Sequence, residues 1–169
     1  MSKSLQHKIV SFVLFNVLWL SAVAGRDEYI WLTVLLAVAQ VGYSHRIAEV
    51  TIKKMAQLFA VGLLLEAIAI SVGAIDFIGA MFPLWLVLLW VGFAAMAPVA
   101  LDWLAKMPVV AALLGAVSGP FTYYVGLGFG AGTADSLFWT LSVYAVVWAL
   151  FMLFFCRAMR AGPNERLVL

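Results

Sequence analysis

Apolar residues run through this chain in six long blocks separated by short polar or charged stretches, over residues 9–25, 29–44, 55–75, 77–101, 108–133 and 136–157. Each block comes near the roughly 20 mostly apolar residues that an α-helix needs to cross the hydrocarbon of a bilayer. The second block is the shortest. The connections are short, so consecutive helices are expected to lie antiparallel and side by side. The pattern predicts an all-α membrane protein: a six-transmembrane-helix bundle that forms one domain over residues 1–169.

The placement of Lys and Arg gives this bundle an expected orientation, because basic residues accumulate on the cytoplasmic side. With six spans, Lys3, Lys8, Arg46, Lys53, Lys54, Lys106, Arg157, Arg160 and Arg166 fall on one side and Arg26 on the other. Both the N-terminus and the C-terminus are therefore expected to be cytoplasmic, with Asp27, Glu28, Asp76 and Asp135 on the outer side. An odd number of spans would split the two terminal basic clusters. The basic start and the Ala22-Val23-Ala24 run have the look of a secretory leader. Five further apolar blocks argue instead that the first is a topological element.

Composition narrows the function classes. The chain of 169 residues is 66% hydrophobic and 11% charged, against about 45–50% and about 25% in soluble domains. That excludes a soluble enzyme, a disordered tail and a nucleic-acid binder. A net charge of +2 gives no reason to expect a polyanionic partner. With Cys156 as the single cysteine, no intramolecular disulfide can form, and the thiol reads as buried.

In a hydrocarbon solvent the informative residues are the polar ones. Glu66 lies in LLLEAIAI, twelve residues after Lys54 and ten before Asp76, about 15 Å from the outer end of its helix. A charge there costs several kcal/mol unless it is paired or hydrated. Glu66 is therefore expected to face the bundle interior, as a ligand anchor, a proton-handling carboxyl or a structural hydrogen-bond partner. Asn16 is placed by the same counting at the same depth and is a candidate to meet Glu66 across a helix pair. Trp90 lies deep in the fourth span, where its indole N–H wants a partner. Ser142 and Tyr144 lie in the outer half of the sixth span.

The fifth span carries two signals. Ala111, Gly115 and Gly119 recur every four residues, a spacing that lets helix backbones approach closely. Gly119-Pro120 is then expected to interrupt the helix near mid-membrane, or simply to kink it, since proline removes an amide donor and frees the Ala116 carbonyl. Ser118, Thr122, Tyr123 and Tyr124 surround that position. Asn16, Glu66, Trp90, Ser118, Pro120, Tyr123 and Ser142 are thus the candidate ligand-binding residues of an outer-half cavity centred on Glu66. No catalytic residue and no cofactor is assigned. His7 and His45 have no cysteine or carboxylate array at metal spacing; Glu49, four residues after His45, permits one helical pair, but two ligands do not make a site, and Asp102 with Lys106 reads as an exposed helix-end ion pair.

Taken together, Asn16, Glu66, Pro83-Leu84-Trp85, Leu89-Trp90, Leu101-Asp102-Trp103-Leu104, Gly119-Pro120, Tyr123 and Gly126 give a pattern that spans most of the chain. It resembles a family of small bacterial inner-membrane proteins catalogued as domain of unknown function 2878. The resemblance implies a multi-pass protein of the bacterial inner (cytoplasmic) membrane and, loosely, an association with membrane-lipid modification. It brings no established activity.

Three function classes follow. The leading one binds or transports a lipid or small amphipathic molecule in the cavity around Glu66. A second is a membrane-embedded lipid-modifying enzyme with Glu66 as acid or base. A third is a structural or accessory subunit that presents the small-residue stripe to a partner. The expected partners are membrane lipids and a lipophilic small molecule, with no nucleic acid. A homo-oligomer or membrane-protein partner stays open.

Overall fold

The computed structural model describes residues 2–161; Arg166, counted above among the basic residues, lies outside them. Six α-helices carry the fold: α1 (Lys3–Gly25), α2 (Ile30–Arg46), α3 (Ile52–Ser71), α4 (Leu84–Ala100), α5 (Pro108–Gly128) and α6 (Leu137–Arg160). Four of them, α1, α3, α5 and α6, are long and apolar enough to cross a membrane, while α2 and α4 have 17 residues each.

Local chemistry sets several of the boundaries. Ser2, Thr51 and Ser136 accept hydrogen bonds from the amides of Leu5, Lys54 and Trp139, each satisfying one of the donors that a helix start leaves free. Pro108 opens α5, where its missing N–H costs nothing.

Helices α3 and α5 end in the same way, and earlier than their apolar runs predict. In α3, Gly73 has φ 70°, and the amides of Gly73 and Ala74 reach back to the carbonyls of Ile70 and Ala69. In α5, Gly130 has φ 73°, and the amides of Gly130 and Ala131 reach back to Leu127 and Gly126. Both are left-handed C-caps of the Schellman type, a conformation that glycine adopts without strain. Each cap delivers the chain to a two-residue strand. β1 (Asp76–Phe77) pairs antiparallel with β2 (Gly132–Thr133), Asp76 opposite Thr133 and Phe77 opposite Gly132. Residues 77–83, expected to open the fourth span, instead form this strand end and a loop through Gly79 (φ 98°). Helix α4 begins only after Pro83.

Helix direction alternates along the chain, as cross-contacts at both ends show. At one end Lys8 pairs with Asp102 at 2.6 Å, so the expected partner Lys106 is replaced by a residue of α1. There too the Cys156 thiol donates to the Leu104 carbonyl at 3.4 Å, and Gln40 donates to Ser11 at 2.8 Å. At the opposite end Arg26 Nη1 donates to the Phe129 carbonyl at 2.7 Å, and Trp139 Nε1 donates to the Val72 carbonyl at 3.1 Å. Of the described basic residues only Arg26 lies at this second end; Lys3, Lys8, Arg46, Lys53, Lys54, Lys106, Arg157 and Arg160 lie at or near the first.

Helix α4 is the centre of the fold. It is apolar on every side, with Trp85, Leu86, Trp90 and most of residues 92–100 buried, which is the signature of a helix surrounded by others. It packs on α1, α2 and α3; α3 also packs on α6, and α6 pairs most extensively with α5.

The small-residue stripe of α5 supplies that last pairing. Ala111, Gly115 and Gly119 are all buried. A Cβ on Gly115 would come within 2.8 Å of the Trp148 carbonyl and 2.6 Å of the Met152 side chain, and one on Gly119 would run into the Trp148 ring. The stripe is consumed inside the bundle and is not offered to a partner. Helix α5 runs unbroken through Gly119-Pro120, contrary to the expected interruption. Glycine before the proline removes the Cβ clash that normally drives that residue out of the helical region.

Candidate functional site

Glu66 lies on α3 with no exposed surface, and three side chains converge on its carboxyl. Tyr144 of α6 donates to Oε1 at 2.6 Å. Tyr123 of α5 donates to Oε2 at 2.5 Å, and Trp90 of α4 donates to the same oxygen at 3.1 Å. One carboxyl thus joins α3 to α4, α5 and α6. Two features allow the approach. Gly62, one helical turn before Glu66, leaves room for the Trp90 ring, which a Cβ there would strike. The Tyr123 and Tyr144 rings stack at 3.4 Å between centroids and 17° between planes, which brings both hydroxyls to the same carboxyl.

Beyond Trp90 lies an aromatic cluster. Trp90 stacks on Trp148 at 5.5 Å and 17°. Phe93 meets Trp148 edge-on at 5.0 Å, and Phe151 contacts all three rings at 5.4–5.7 Å.

A cavity of about 500 Å³ lies against these rings, between α1, α4 and α5. That volume is within the range of small-molecule sites, about 300–1,000 Å³. Its inner wall includes Trp85, Trp90, Phe93, Tyr123 and Trp148, and none of its lining residues is charged. Its most exposed lining residues are Phe12 and Asn16 on α1 and Ser118 and Phe121 on α5. They mark a mouth between two helices that flank the cavity without packing closely on each other.

The candidate residues therefore separate into groups. Glu66, Trp90 and Tyr123 come together, but the carboxyl itself does not line the cavity. It is sealed behind Trp90 and Tyr123, which do, so the expectation of a cavity centred on Glu66 becomes one of a wall held by Glu66. Asn16 lines the cavity but does not meet Glu66; its Nδ2 donates to the Phe12 carbonyl of its own helix at 2.8 Å. Ser118 lines the mouth, with its hydroxyl bonded back to the Leu114 carbonyl at 2.7 Å. Pro120 is buried in α5 and is not on the cavity wall. Ser142 is away from it altogether and donates to the Phe138 carbonyl.

Tyr144 and Trp148 join the site without being among the residues that the sequence singles out for it. Each is a large side chain with a polar tip in the middle of an apolar helix, the same signal that singled out Trp90.

No curated protein and no solved structure matches the chain. One family does, over residues 8–154, which include the Glu66 cluster and every residue of the cavity wall. The chain belongs to the family described as Protein of unknown function (DUF2878).

Proposed function

We propose that this is a multi-pass protein of the bacterial inner membrane, N-terminus and C-terminus cytoplasmic, that binds or transports a lipid or small amphipathic molecule in the cavity between α1, α4 and α5. The alternating helix directions and the collection of basic residues at one end support six spans with that end in the cytoplasm. At about 1.5 Å per residue, α2 and α4 reach about 25 Å, the short end of what a span requires.

The observation that carries the functional reading is an uncharged, mostly apolar cavity of about 500 Å³ in an apolar bundle, with two of its aromatic wall residues held by a buried carboxyl. Glu66 acts here as a positioning residue: it fixes the Trp90 indole and the Tyr123 hydroxyl so that their rings form a rigid wall. This favours binding over catalysis, because among the described residues the one carboxyl at depth is spent on its own donors. Binding is also favoured over a scaffold role by the burial of the small-residue stripe inside the bundle.

The test is native mass spectrometry of gently extracted protein with lipid analysis of what is released, comparing wild type with Asn16→Trp. Asn16 is exposed at the mouth and outside the Glu66 cluster, so a large ring there fills the entrance and leaves the cluster alone. One defined species retained by wild type and lost in the variant is the expected result. The same heterogeneous lipid on both would defeat the binding reading.

A further inference from the structure

The shape and depth of the cavity describe its occupant, and this inference rests on the binding reading above. The lining runs lengthwise along the helices. It extends from Phe12 to Val23 on α1 and from Trp85 to Met96 on α4, about 16 Å in each case at 1.5 Å per residue. Spread over that length, a volume of about 500 Å³ leaves a cross-section of about 30 Å². Such a slot admits one hydrocarbon chain but not two side by side, and it is too narrow for a fused ring system.

The slot opens sideways. Its exposed lining residues are Phe12 and Asn16, either side of the middle of α1, and Ser118 and Phe121 on α5. Ser118 lies ten residues from either end of α5, about 15 Å, which is the midplane of a bilayer with about 30 Å of hydrocarbon. Toward both ends of the bundle the gap is bridged. Arg26, just past α1, bonds to the Phe129 carbonyl just past α5 at 2.7 Å. Lys8 of α1 pairs with Asp102 on the α4–α5 connection at 2.6 Å. At the Arg26 end, buried Ile75, Phe77 and Ala131 close the slot. An occupant therefore arrives through the bilayer midplane.

That route restricts the chemistry. A phosphate, carboxylate or ammonium drawn to mid-depth costs several kcal/mol unless it is paired, and no lining residue is charged to pair with it. The two polar side chains at the mouth bond back to carbonyls of their own helices, Asn16 to Phe12 and Ser118 to Leu114.

We propose that the cavity takes one uncharged hydrocarbon chain, which enters sideways from the bilayer midplane and carries no charged headgroup into the slot.

Three brominated probes test this: 7,8-dibromotetradecane, 7,8-dibromotetradecanoate above its ionisation range, and 5,6-dibromocholestane. Trp19, Trp85, Trp90 and Trp148 line the slot, and bromine quenches tryptophan fluorescence. Binding to the purified full-length protein in detergent is read as saturable quenching, with the probes compared at equal mole fraction in the micelle. The straight alkane is expected to quench saturably. The ionised acid should bind at least about tenfold more weakly. The ring compound should give only the linear quenching of tryptophans that face the micelle.

Ser118→Phe narrows the mouth and should abolish saturable quenching by the alkane. Leu113→Phe, exposed on the same helix but not a lining residue, should keep it. The ranking of the probes in wild type does not depend on either variant folding. The acid or the ring compound binding as tightly as the alkane, or unchanged binding in Ser118→Phe, overturns the proposal and leaves the binding reading standing. No saturable quenching by any of the three probes removes both.

Discussion

The two tyrosines that serve Glu66 are not equivalent, and removing one hydroxyl at a time should reveal the difference. Oε1 has one donor, Tyr144. Oε2 has two, Tyr123 and Trp90. Tyr144→Phe therefore leaves a buried carboxyl oxygen with no donor at all, whereas Tyr123→Phe leaves Oε2 still bonded to the indole. Interhelical hydrogen bonds in membrane proteins average about 0.6 kcal/mol and reach about 1.7 kcal/mol. Orphaning a buried group adds its desolvation penalty, about 1–3 kcal/mol. Tyr144→Phe should accordingly cost about 2–3 kcal/mol and Tyr123→Phe about 1 kcal/mol. Both rings remain, so the stacking and the packed volume change little. Reversible unfolding of the purified protein in mixed detergent micelles measures this directly. At about 2–4 °C per kcal/mol for a chain of this size, Tyr144→Phe lowers Tm by about 4–12 °C and Tyr123→Phe by about 2–4 °C. Equal losses, or a larger loss at Tyr123, would refute the division of labour between the two oxygens.

Other consequences are open to simpler checks. Gly119→Val forces a side chain into the Trp148 ring and should destabilise by about 1–3 kcal/mol; Gly128→Ala, where nothing lies within 4 Å, should be neutral in the same unfolding assay. Arg26→Ala removes the bond to the Phe129 carbonyl, so hydrogen exchange over residues 127–133 should accelerate while residues 52–60 stay unchanged. In a Cys156→Ala background, a membrane-impermeant thiol reagent applied to spheroplasts should label Glu28→Cys and leave Ser2→Cys unmodified; the reverse pattern would invert the proposed orientation.

Glu66 and Trp90 were legible in the sequence because a lone acid and a deep indole in hydrocarbon both demand partners. What the sequence could not supply was the face of each helix. When lipid is as apolar as the core, a hydrophobic pattern no longer separates inside from outside. Depth alone therefore does not separate Ser142 from Tyr144. Two residues apart at 100° each, they point to nearly opposite sides of α6, and the partner proved to be the tyrosine. Asn16 found its hydrogen bond one turn back on its own helix, an option that depth counting does not weigh. Gly62, one turn before Glu66, was a readable sign of close approach by a large neighbour. The β1–β2 pair was not readable: strands of two residues leave no periodicity, and their partnership joins segments more than 50 residues apart. The helix ends were within reach, because Gly73, Gly79, Pro83 and Gly130 are all punctuation of known meaning, hidden only by the apolar residues around them.

The Glu66 cluster also carries a timetable. Its donors lie 24, 57 and 78 residues downstream, so a ribosome completes α3 well before it has made either tyrosine. At about 5–20 residues per second, the wait for Tyr144 is about 4–16 s. During that interval the nascent chain holds an acidic side chain in an apolar helix with its set of lasting partners incomplete. Something must shelter it, whether the lateral wall of the insertion channel, water or a transient neighbour. The last helix to emerge is the one that releases it.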